Sequence, residues 1–232
     1  MHSAKIPSTL IFLAVLSLSI SSAFAQVNKY RWLQTHQWSG SGNMETEFFS
    51  LYGNKSRVAF TPTGPGPFTI LFIDTQHGTQ QTVADQAEGF VINGRVNING
   101  STNAGYFIIR APRNSWTVSI EQRLDPIDEW RFRQDQKKPI KVSKLGTWSG
   151  DSGQADISVT VPDGHWRLRF EQFQAGALAV TVTNQAGTQV VSTSTSLGGE
   201  HSAWIHGAGT FTISVLAVQT PWVINADKLL LE

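Results

Sequence analysis

The chain of 232 residues has no cysteine, and its formal net charge is only +1. This near-neutral charge argues against nucleic acid or an anionic membrane surface as the main partner, because both select basic surfaces. The lack of cysteine excludes disulfides, thiol nucleophiles and cysteine-based zinc sites, so the stability of the fold depends on packing. Eight tryptophans and 13 phenylalanines supply the large apolar side chains that such packing needs.

The N-terminus has the pattern of a secretory signal peptide. Lys5 precedes an apolar run at 10–16, and Ala23 and Ala25 form an A-x-A cleavage site before Gln26. We therefore expect residues 1–25 to be removed and the mature chain to be exported to the periplasm or the extracellular space. The mature sequence contains no further segment that predicts a transmembrane helix.

The mature sequence repeats one pattern. Trp38-Ser39-Gly40 begins the first copy and Trp148-Ser149-Gly150 begins the second, and a second tryptophan stands near the end of each copy, at Trp116 and Trp222. Repetition over this length indicates two domains of one fold.

The hydrophobic pattern within each copy has a period of two, which is typical of strands. Apolar and polar residues alternate from Trp116 to Glu121, and Asn93-Gly94 and Asp163-Gly164 are turn signals between apolar segments. The sequence therefore predicts an all-β protein with two tandem antiparallel β-sandwich domains, jelly-roll-like and of the same fold.

A charged connector separates the two copies. It contains Pro126 and Pro139 and is predicted to be either a turn of helix or an extended crossover. Trp130 and Phe132 are too apolar for a free linker, so we expect them to pack on a domain. The predicted divisions are the signal peptide, the first domain, the connector and the second domain, at 1–25, 26–123, 124–145 and 146–232.

No spacing in the sequence indicates a catalytic centre, and no catalytic residue is predicted. A G-x-S-x-G motif is absent, and Ser39 and Ser149 stand where the repeats begin, which favours a structural role. The histidines of the mature chain lack the spacing of known metal-binding motifs. Two carboxylates can still meet in space as glycoside hydrolysis requires. A hydrolase with its site between the domains is therefore the alternative, motivated by the charged connector and the more acidic second domain.

Calcium is the metal for which the sequence offers ligands. Asp151 and Asp156 lie on either side of a glycine turn at Gly153. Calcium takes six to eight oxygen ligands, several of them from carboxylates, and the first copy has Glu45 and Glu47 without the same acidic pattern. A turn or capping role for the aspartates is the competing interpretation. We predict no cofactor, with calcium at Asp151 and Asp156 as the alternative.

The tryptophans that are not repeated are the candidates for ligand binding. A solvent-facing indole can stack on a sugar ring or anchor a protein interface, whereas burial in the core is the competing interpretation. The four unrepeated tryptophans are Trp32, Trp130, Trp166 and Trp204.

In the first copy a glycine and an apolar strand at 105–109 are followed by a strand that begins with tryptophan, at 116–120. With this order of elements, 38–122 and 147–225 resemble the accessory β-sandwiches of secreted bacterial proteins, in particular the pre-peptidase C-terminal type. The resemblance implies an auxiliary role, although the chain shows no catalytic domain of the kind that such modules accompany. No functional residue is transferred from that family.

The sequence therefore predicts an exported, non-catalytic binding or interaction protein whose ligand is a glycan or a protein. Besides the hydrolase, a structural component of the cell envelope is an alternative, and it predicts self-association. The oligomeric state is left open.

Overall fold

The computed structural model of the protein describes residues 30–53, 55–89, 92–196 and 198–230. The predicted signal peptide lies outside the described residues. Across the described ranges the chain forms seventeen strands and one helix, so the predicted all-β fold is confirmed. In this part of the chain, no helix is both long enough and apolar enough to span a membrane.

The strands fall into two sets along the chain. The first set is β1 (Arg31–Ser41), β2 (Met44–Glu45), β3 (Phe49–Leu51), β4 (Lys55–Thr63), β5 (Phe68–Asp74), β6 (Thr79–Gln86), β7 (Gly94–Asn99), β8 (Thr102–Arg110) and β9 (Ser115–Leu124). The second set is β10 (Val142–Gly150), β11 (Gly153–Val161), β12 (His165–Gln172), β13 (Ala177–Asn184), β14 (Gln189–Thr195), β15 (Gly199–His206), β16 (Gly209–Val218) and β17 (Trp222–Leu229).

Each set folds into a jelly roll. In the first domain the sheet β1-β9-β4-β7 faces β2-β8-β5-β6, and β3 also pairs with β8. In the second domain β10-β17-β12-β15 faces β11-β16-β13-β14. When β2 and β3 are counted as one strand, both domains have the strand order of a jelly roll, in which two Greek keys form two packed sheets.

Alternating burial explains why the sheets pack in pairs. Along β9 buried residues alternate with half-buried ones, and β5 shows the same pattern. The inward residues of both sheets meet in one apolar cluster per domain, with Phe107 and Ile120 in the first and Phe170 and Ile213 in the second. Each sandwich therefore has its own core.

The repeated Trp-Ser-Gly motif has a structural explanation. Gly40 lies opposite Trp116 across the β1–β9 ladder, and Gly150 lies opposite Trp222 across β10–β17. A Cβ atom on either glycine would come within 2.8 Å of the Cζ2 atom of the opposite indole. The glycine is needed because the ring covers it. The motif marks the start of each sandwich.

The connector contains helix α1 (Pro126–Asp135). The side chain of Asp125 caps its N-terminus by accepting hydrogen bonds from the backbone N–H groups of Ile127 and Asp128, each at 2.8 Å. Phe132 is its buried residue and lies between the rings of His36 and Tyr52. The helix is thus attached to the first domain.

Candidate ligand-binding groove between the domains

The two domains join edge to edge through β2. Residue Trp204 on β15 pairs with Glu45 on β2, so the sheet of the second domain continues into the first and forms a nine-stranded sheet. The backbone N–H of Ser192 donates to the carbonyl oxygen of Asn43 at 2.9 Å. We call this contact between β2 and strands β14 and β15 the joint.

Local irregularity in the first domain makes the joint possible. Strand β2 stops after two residues, and pairing with β8 resumes only at Phe49. Between them, Thr46 keeps contact with β8, because its backbone N–H donates to the carbonyl oxygen of Phe107 and its hydroxyl oxygen accepts from the N–H of Phe107. Interruptions of this kind in a strand change the direction in which its side chains point. Here they place Glu47 and Phe48 at the boundary between the domains.

A polar network crosses the joint. One carboxyl oxygen of Glu45 accepts from the backbone N–H of His206 at 2.9 Å, and the other lies 3.3 Å from the Arg110 guanidinium. Arg110 also donates to the backbone carbonyl of Val190 in the second domain at 3.2 Å. Burial raises the pKa of Glu45, whereas the His206 N–H and Arg110 oppose that shift. The Glu45 carboxylate is therefore engaged in holding the domains together.

Two histidines complete the joint. The Nε2 atom of His206 lies 2.7 Å from the Thr46 carbonyl oxygen, which can only accept, so Nε2 carries a proton. In the neutral ring its Nδ1 then accepts from the Nδ1 of His165 at 3.0 Å. Burial lowers the pKa of His206 to about 4 and also lowers the pKa of His165. Phe48 and Tyr106 pack against the His206 ring. Because the pKa values of both histidines are lowered, the cluster of His165 and His206 is neutral at neutral pH.

A groove with a volume of about 590 Å³ runs along the boundary between the domains. Its walls combine aromatic rings with hydroxyl, amide and carboxyl groups. Among the described residues, no lysine or arginine lines it. The lining residues are Gln37, Trp38, Ser39, Gly40, Ser41, Met44, Glu45, Thr46, Glu47, Ser115, Phe170, Thr193, Ser194, Thr195, His201, Ser202 and Trp204.

Glu47 is the half-buried carboxyl group of this groove. Burial raises its pKa, whereas a hydrogen bond from the Trp38 indole and the positive charge of Arg167 lower it. A carboxylate has about four positions that can accept hydrogen bonds, and the indole uses one of them. Glu47 can therefore accept further hydrogen bonds from a ligand in the groove.

A second cavity of about 460 Å³ adjoins the groove, and the two share Glu47 and Trp204. Its walls are more apolar than those of the groove. They come from β1, the segment after β2, the connector, β15 and the end of β17. The lining residues are His36, Glu47, Phe48, Asp135, Gln136, Lys138, Pro139, Ile140, Lys141, Trp204, Leu229 and Leu230. We call this space the annex.

The four predicted tryptophans lie in different environments. Trp204 is 6% exposed, lines both cavities and lies beneath Arg167, whose guanidinium carbon is 5.5 Å from the ring centroid. Trp166 is 0% exposed. The prediction that Trp166 could bind a ligand is therefore corrected, because the side chain fills the core of the second domain against Phe211.

Trp32 and Trp130 are exposed but lie apart from the groove. The Arg57 guanidinium covers the ring of Trp32, 4.1 Å from its centroid. Trp130 on α1 lines a separate depression together with Tyr52 and Asn103. None of the cavities described above is lined by both tryptophans, so they do not form a paired platform there.

The proposed calcium ligands are both exposed. Asp151 stands in the turn between β10 and β11, and Asp156 points outward from β11, opposite Ser214 on β16. Over the described residues, no group of three or more histidine, aspartate or glutamate side chains is arranged to hold a metal ion.

Sequence reasoning missed the central residues of the groove. Trp38 recurs as Trp148, and recurrence favours a structural role; the side chain does pack against the first core, but it is half-buried and also faces the groove. Glu45 and Glu47 enter the sequence analysis only as residues of the first copy that do not reproduce the acidic pattern at Asp151 and Asp156. The available signal was that the second copy does not repeat these two acids, which is expected of a local function in one domain.

Comparisons with known proteins give only remote similarities. The chain matches no family model and no curated protein. Among solved structures, it is similar to the PBSX exported protein XepA (8% identity, 86% of each chain covered, TM-score 0.27). A turret protein of Sulfolobus turreted icosahedral virus shows 13% identity over 88% of this chain and 100% of its own, with a TM-score of 0.28. Lactobacillus farciminis oxalate decarboxylase shows 10% identity over 88% of this chain and 82% of its own, with a TM-score of 0.24.

Proposed function

We propose that the protein is an exported, non-catalytic glycan-binding protein whose ligand lies in the groove between the two jelly rolls. The observation that carries this proposal is the lining of the groove. The Trp38 and Trp204 rings stand among hydroxyl groups and the Glu47 carboxylate. Sugars present apolar C–H faces and many hydroxyl groups, which match this combination of rings and hydrogen-bonding groups.

The shape of the groove favours a glycan over a protein partner. A volume of about 590 Å³ is in the range of roughly 300–1,000 Å³ that small-molecule sites occupy. A specific protein partner would instead need a broad contact surface of about 800 Å² on each partner. Within the described part of the chain, the lining contains Glu45 and Glu47 but no lysine or arginine. This favours neutral or cationic sugars over uronic or sulfated ones, because an acidic sugar would lie against the Glu47 carboxylate, and Arg110 is already engaged by Glu45.

Export is part of the proposal and is supported by the N-terminal sequence, where Lys5, the apolar run and Ala23-Phe24-Ala25 form a signal-peptide pattern. The resemblance to accessory modules of secreted bacterial proteins is in keeping with this location. The mature chain at 26–232 is therefore the form to test.

A glycan array with neutral, amino and acidic sugars, followed by calorimetry, tests this function. Glu47→Gln keeps the size of the side chain but removes its charge, and we expect it to weaken binding about tenfold or more. Trp130→Ala removes an exposed tryptophan outside the groove and should leave affinity unchanged. A blank array refutes glycan binding, and a loss confined to Trp130→Ala moves the site to α1.

One observation favours glycoside hydrolysis as a second candidate function. Glu45 and Glu47 line one groove, and burial raises the pKa of both carboxyl groups. A raised pKa is what a general acid requires. Binding remains the leading proposal because Glu45 is held by Arg110 and by the His206 N–H. Release of reducing sugar by the wild type, lost in both Glu45→Gln and Glu47→Gln, would replace binding by hydrolysis.

A further inference from the structure

The annex differs chemically from the groove it adjoins. Apolar side chains from four parts of the fold surround it, among them Phe48, Ile140, Leu229 and Trp204. Two large aliphatic side chains at its edge remain in water, because Ile140 is 48% and Leu230 is 43% exposed. Covering such side chains is favourable by about 25 cal/mol for each Å² of apolar surface removed from water.

The edge of the annex is held by backbone contacts within the chain. The N–H of Leu230 donates to the carbonyl oxygen of Lys141 at 2.9 Å, which ties the end of β17 to the connector. At the end of α1, the N–H of Gln136 donates to the Phe132 carbonyl at 3.0 Å, and Phe132 is buried. These hydrogen bonds fix the backbone at the edge of the annex, which lowers the cost of ordering that edge when a ligand binds.

The annex and the groove share a wall made by two side chains. Glu47 and Trp204 belong to the lining of both cavities. A sugar placed against these residues in the groove therefore lies next to the annex. An apolar group attached to that sugar would reach the annex while the sugar ring keeps its hydrogen bonds.

We propose that the ligand is an amphiphilic saccharide, with its sugar in the groove and an alkyl substituent in the annex. This inference rests on the proposed glycan-binding function and adds the class of the substituent. An alkyl chain suits the site because the annex is concave, exposes more apolar than polar surface in spite of Asp135, Lys138 and Lys141 in its lining, and shares Glu47 and Trp204 with the polar groove. A second copy of the protein docked on Ile140 and Leu230 is the competing occupant.

A homologous series of alkyl sugars tests the proposal. Methyl, butyl, hexyl and octyl β-D-glucopyranosides, below their micellar concentrations, are titrated into the mature protein by calorimetry. The dissociation constant should fall up to about fourfold for each methylene that enters the annex, as expected from about 0.8 kcal/mol per buried methylene. The dissociation constant should stop falling with chain length once the alkyl chain fills the annex.

Two isoleucines supply a matched pair of variants. Ile140→Asn places a polar group at the edge of the annex and should flatten the dependence on chain length, with methyl glucoside affinity unchanged. Ile127→Asn alters an isoleucine on α1 that is 63% exposed and lies outside the annex, and it should keep the wild-type dependence. Glu47→Gln should weaken every member of the series by a similar factor, because that residue faces the sugar.

The outcomes separate the two proposals. If glucosides bind with no dependence on chain length, the alkyl site is overturned and glycan binding stands. If neither methyl nor octyl glucoside binds and the glycan array is blank, both are overturned. If sedimentation shows a dimer that Ile140→Asn converts to a monomer, while alkyl binding is unchanged, the annex is an interface between copies and the inference is wrong.

Discussion

The two domains have the same strand order but differ most at the second strand of the jelly roll. In the second domain β11 runs unbroken from Gly153 to Val161 and pairs along its whole length with β16. In the first domain β2 has two residues, and its continuation is displaced into β3. The difference shows how a repeated fold acquires a local site, because the interrupted strand both accepts β15 from the other domain and turns Glu47 toward the groove.

Shared features of the domains are structural. Gly40 contacts the ring of Trp116 in the first domain, and Gly150 contacts the equivalent ring of Trp222 in the second. The ion pair of Arg57 with Glu121 likewise corresponds to that of Arg167 with Asp227. In the groove, Glu45 and Glu47 have no acidic counterpart in the second domain, whereas Trp38, Ser39 and Gly40 belong to the repeated motif. A comparison of equivalent positions therefore separates stability from function, and three predictions test that separation.

The largest effect is expected from substitution at the joint. Gly42 has φ +74°, and a Cβ atom there would overlap the carbonyl oxygen of Ser192 in the second domain. Gly42→Ala should lower the free energy of unfolding by about 2–4 kcal/mol, since backbone strain and a steric clash act together. Chemical denaturation measures the loss, and hydrogen exchange at the Ser192 amide should show that the joint opens.

Gly153 provides the control for that substitution. It follows the second Trp-Ser-Gly motif and has φ +97°, but its Cβ position is open. Gly153→Ala should therefore cost only about 1 kcal/mol, from backbone strain alone. Equal losses at the two glycines would contradict the role assigned to the joint.

The next largest effect is a dependence of the stability of the protein on pH. The pKa of His206 is about 4 in the folded protein and about 6.5 in an unfolded chain, so the unfolded state binds more protons between these values. His206 therefore contributes stability above pH 6.5 that is lost as the pH falls toward 4, by up to about 3 kcal/mol. The raised pKa values of Glu45 and Glu47 change the stability in the opposite direction, because these groups bind protons more readily in the folded state.

A variant distinguishes the contribution of His206 to this pH dependence from that of the two carboxyl groups. His206→Gln keeps a donor for the Thr46 carbonyl but does not titrate, so its stability should fall less steeply from pH 6.5 to 4 than that of the wild type. Burial also lowers the pKa of His36, in the first domain, to about 4. His36→Gln should reduce the slope too, without opening the joint. An unchanged slope in His206→Gln would show that the cluster is not neutral as described.

The smallest effect tests the equivalence of the repeats. Gly40→Ala and Gly150→Ala should each cost about 1–2 kcal/mol, and by similar amounts, because the new methyl group meets the ring of the opposite tryptophan. Gly164→Ala, at an open turn position without positive φ, should be neutral or slightly stabilising. Thermal denaturation compares the three. Markedly different costs at Gly40 and Gly150 would show that the two motifs are not equivalent.

The predicted fold agrees with the structure because its causes are local. Alternation along the chain determines which face of each strand is buried, and Asp163-Gly164 supplies the turn between β11 and β12. In the connector, helix α1 replaces the predicted choice between a turn of helix and an extended crossover, and Asp125 and Pro126 are recognisable start signals for it.

The candidate site was predicted only in part. Of the four unrepeated tryptophans, Trp204 lines the groove, whereas Trp166 is in the core and Trp130 lines another depression. Periodicity cannot distinguish Trp166 from Trp204, because both are buried: Trp166 lies on β12, where burial alternates, and Trp204 lies in a run of three buried residues on β15. Which of the two meets a cavity depends on the edge strand that lies beside it.

The sequence by itself determined the repeat, the strand period and the Trp-Ser-Gly motif that begins each sandwich, since these are patterns of neighbours along the chain. Only the tertiary structure decided that β15 adds to the edge at β2 and that a groove opens beside the joint. These features arise from contacts between residues about 160 positions apart, such as Glu45 with His206. Such contacts produce no periodic pattern in the sequence, because they form only where β2 stops after two residues and β15 pairs with it.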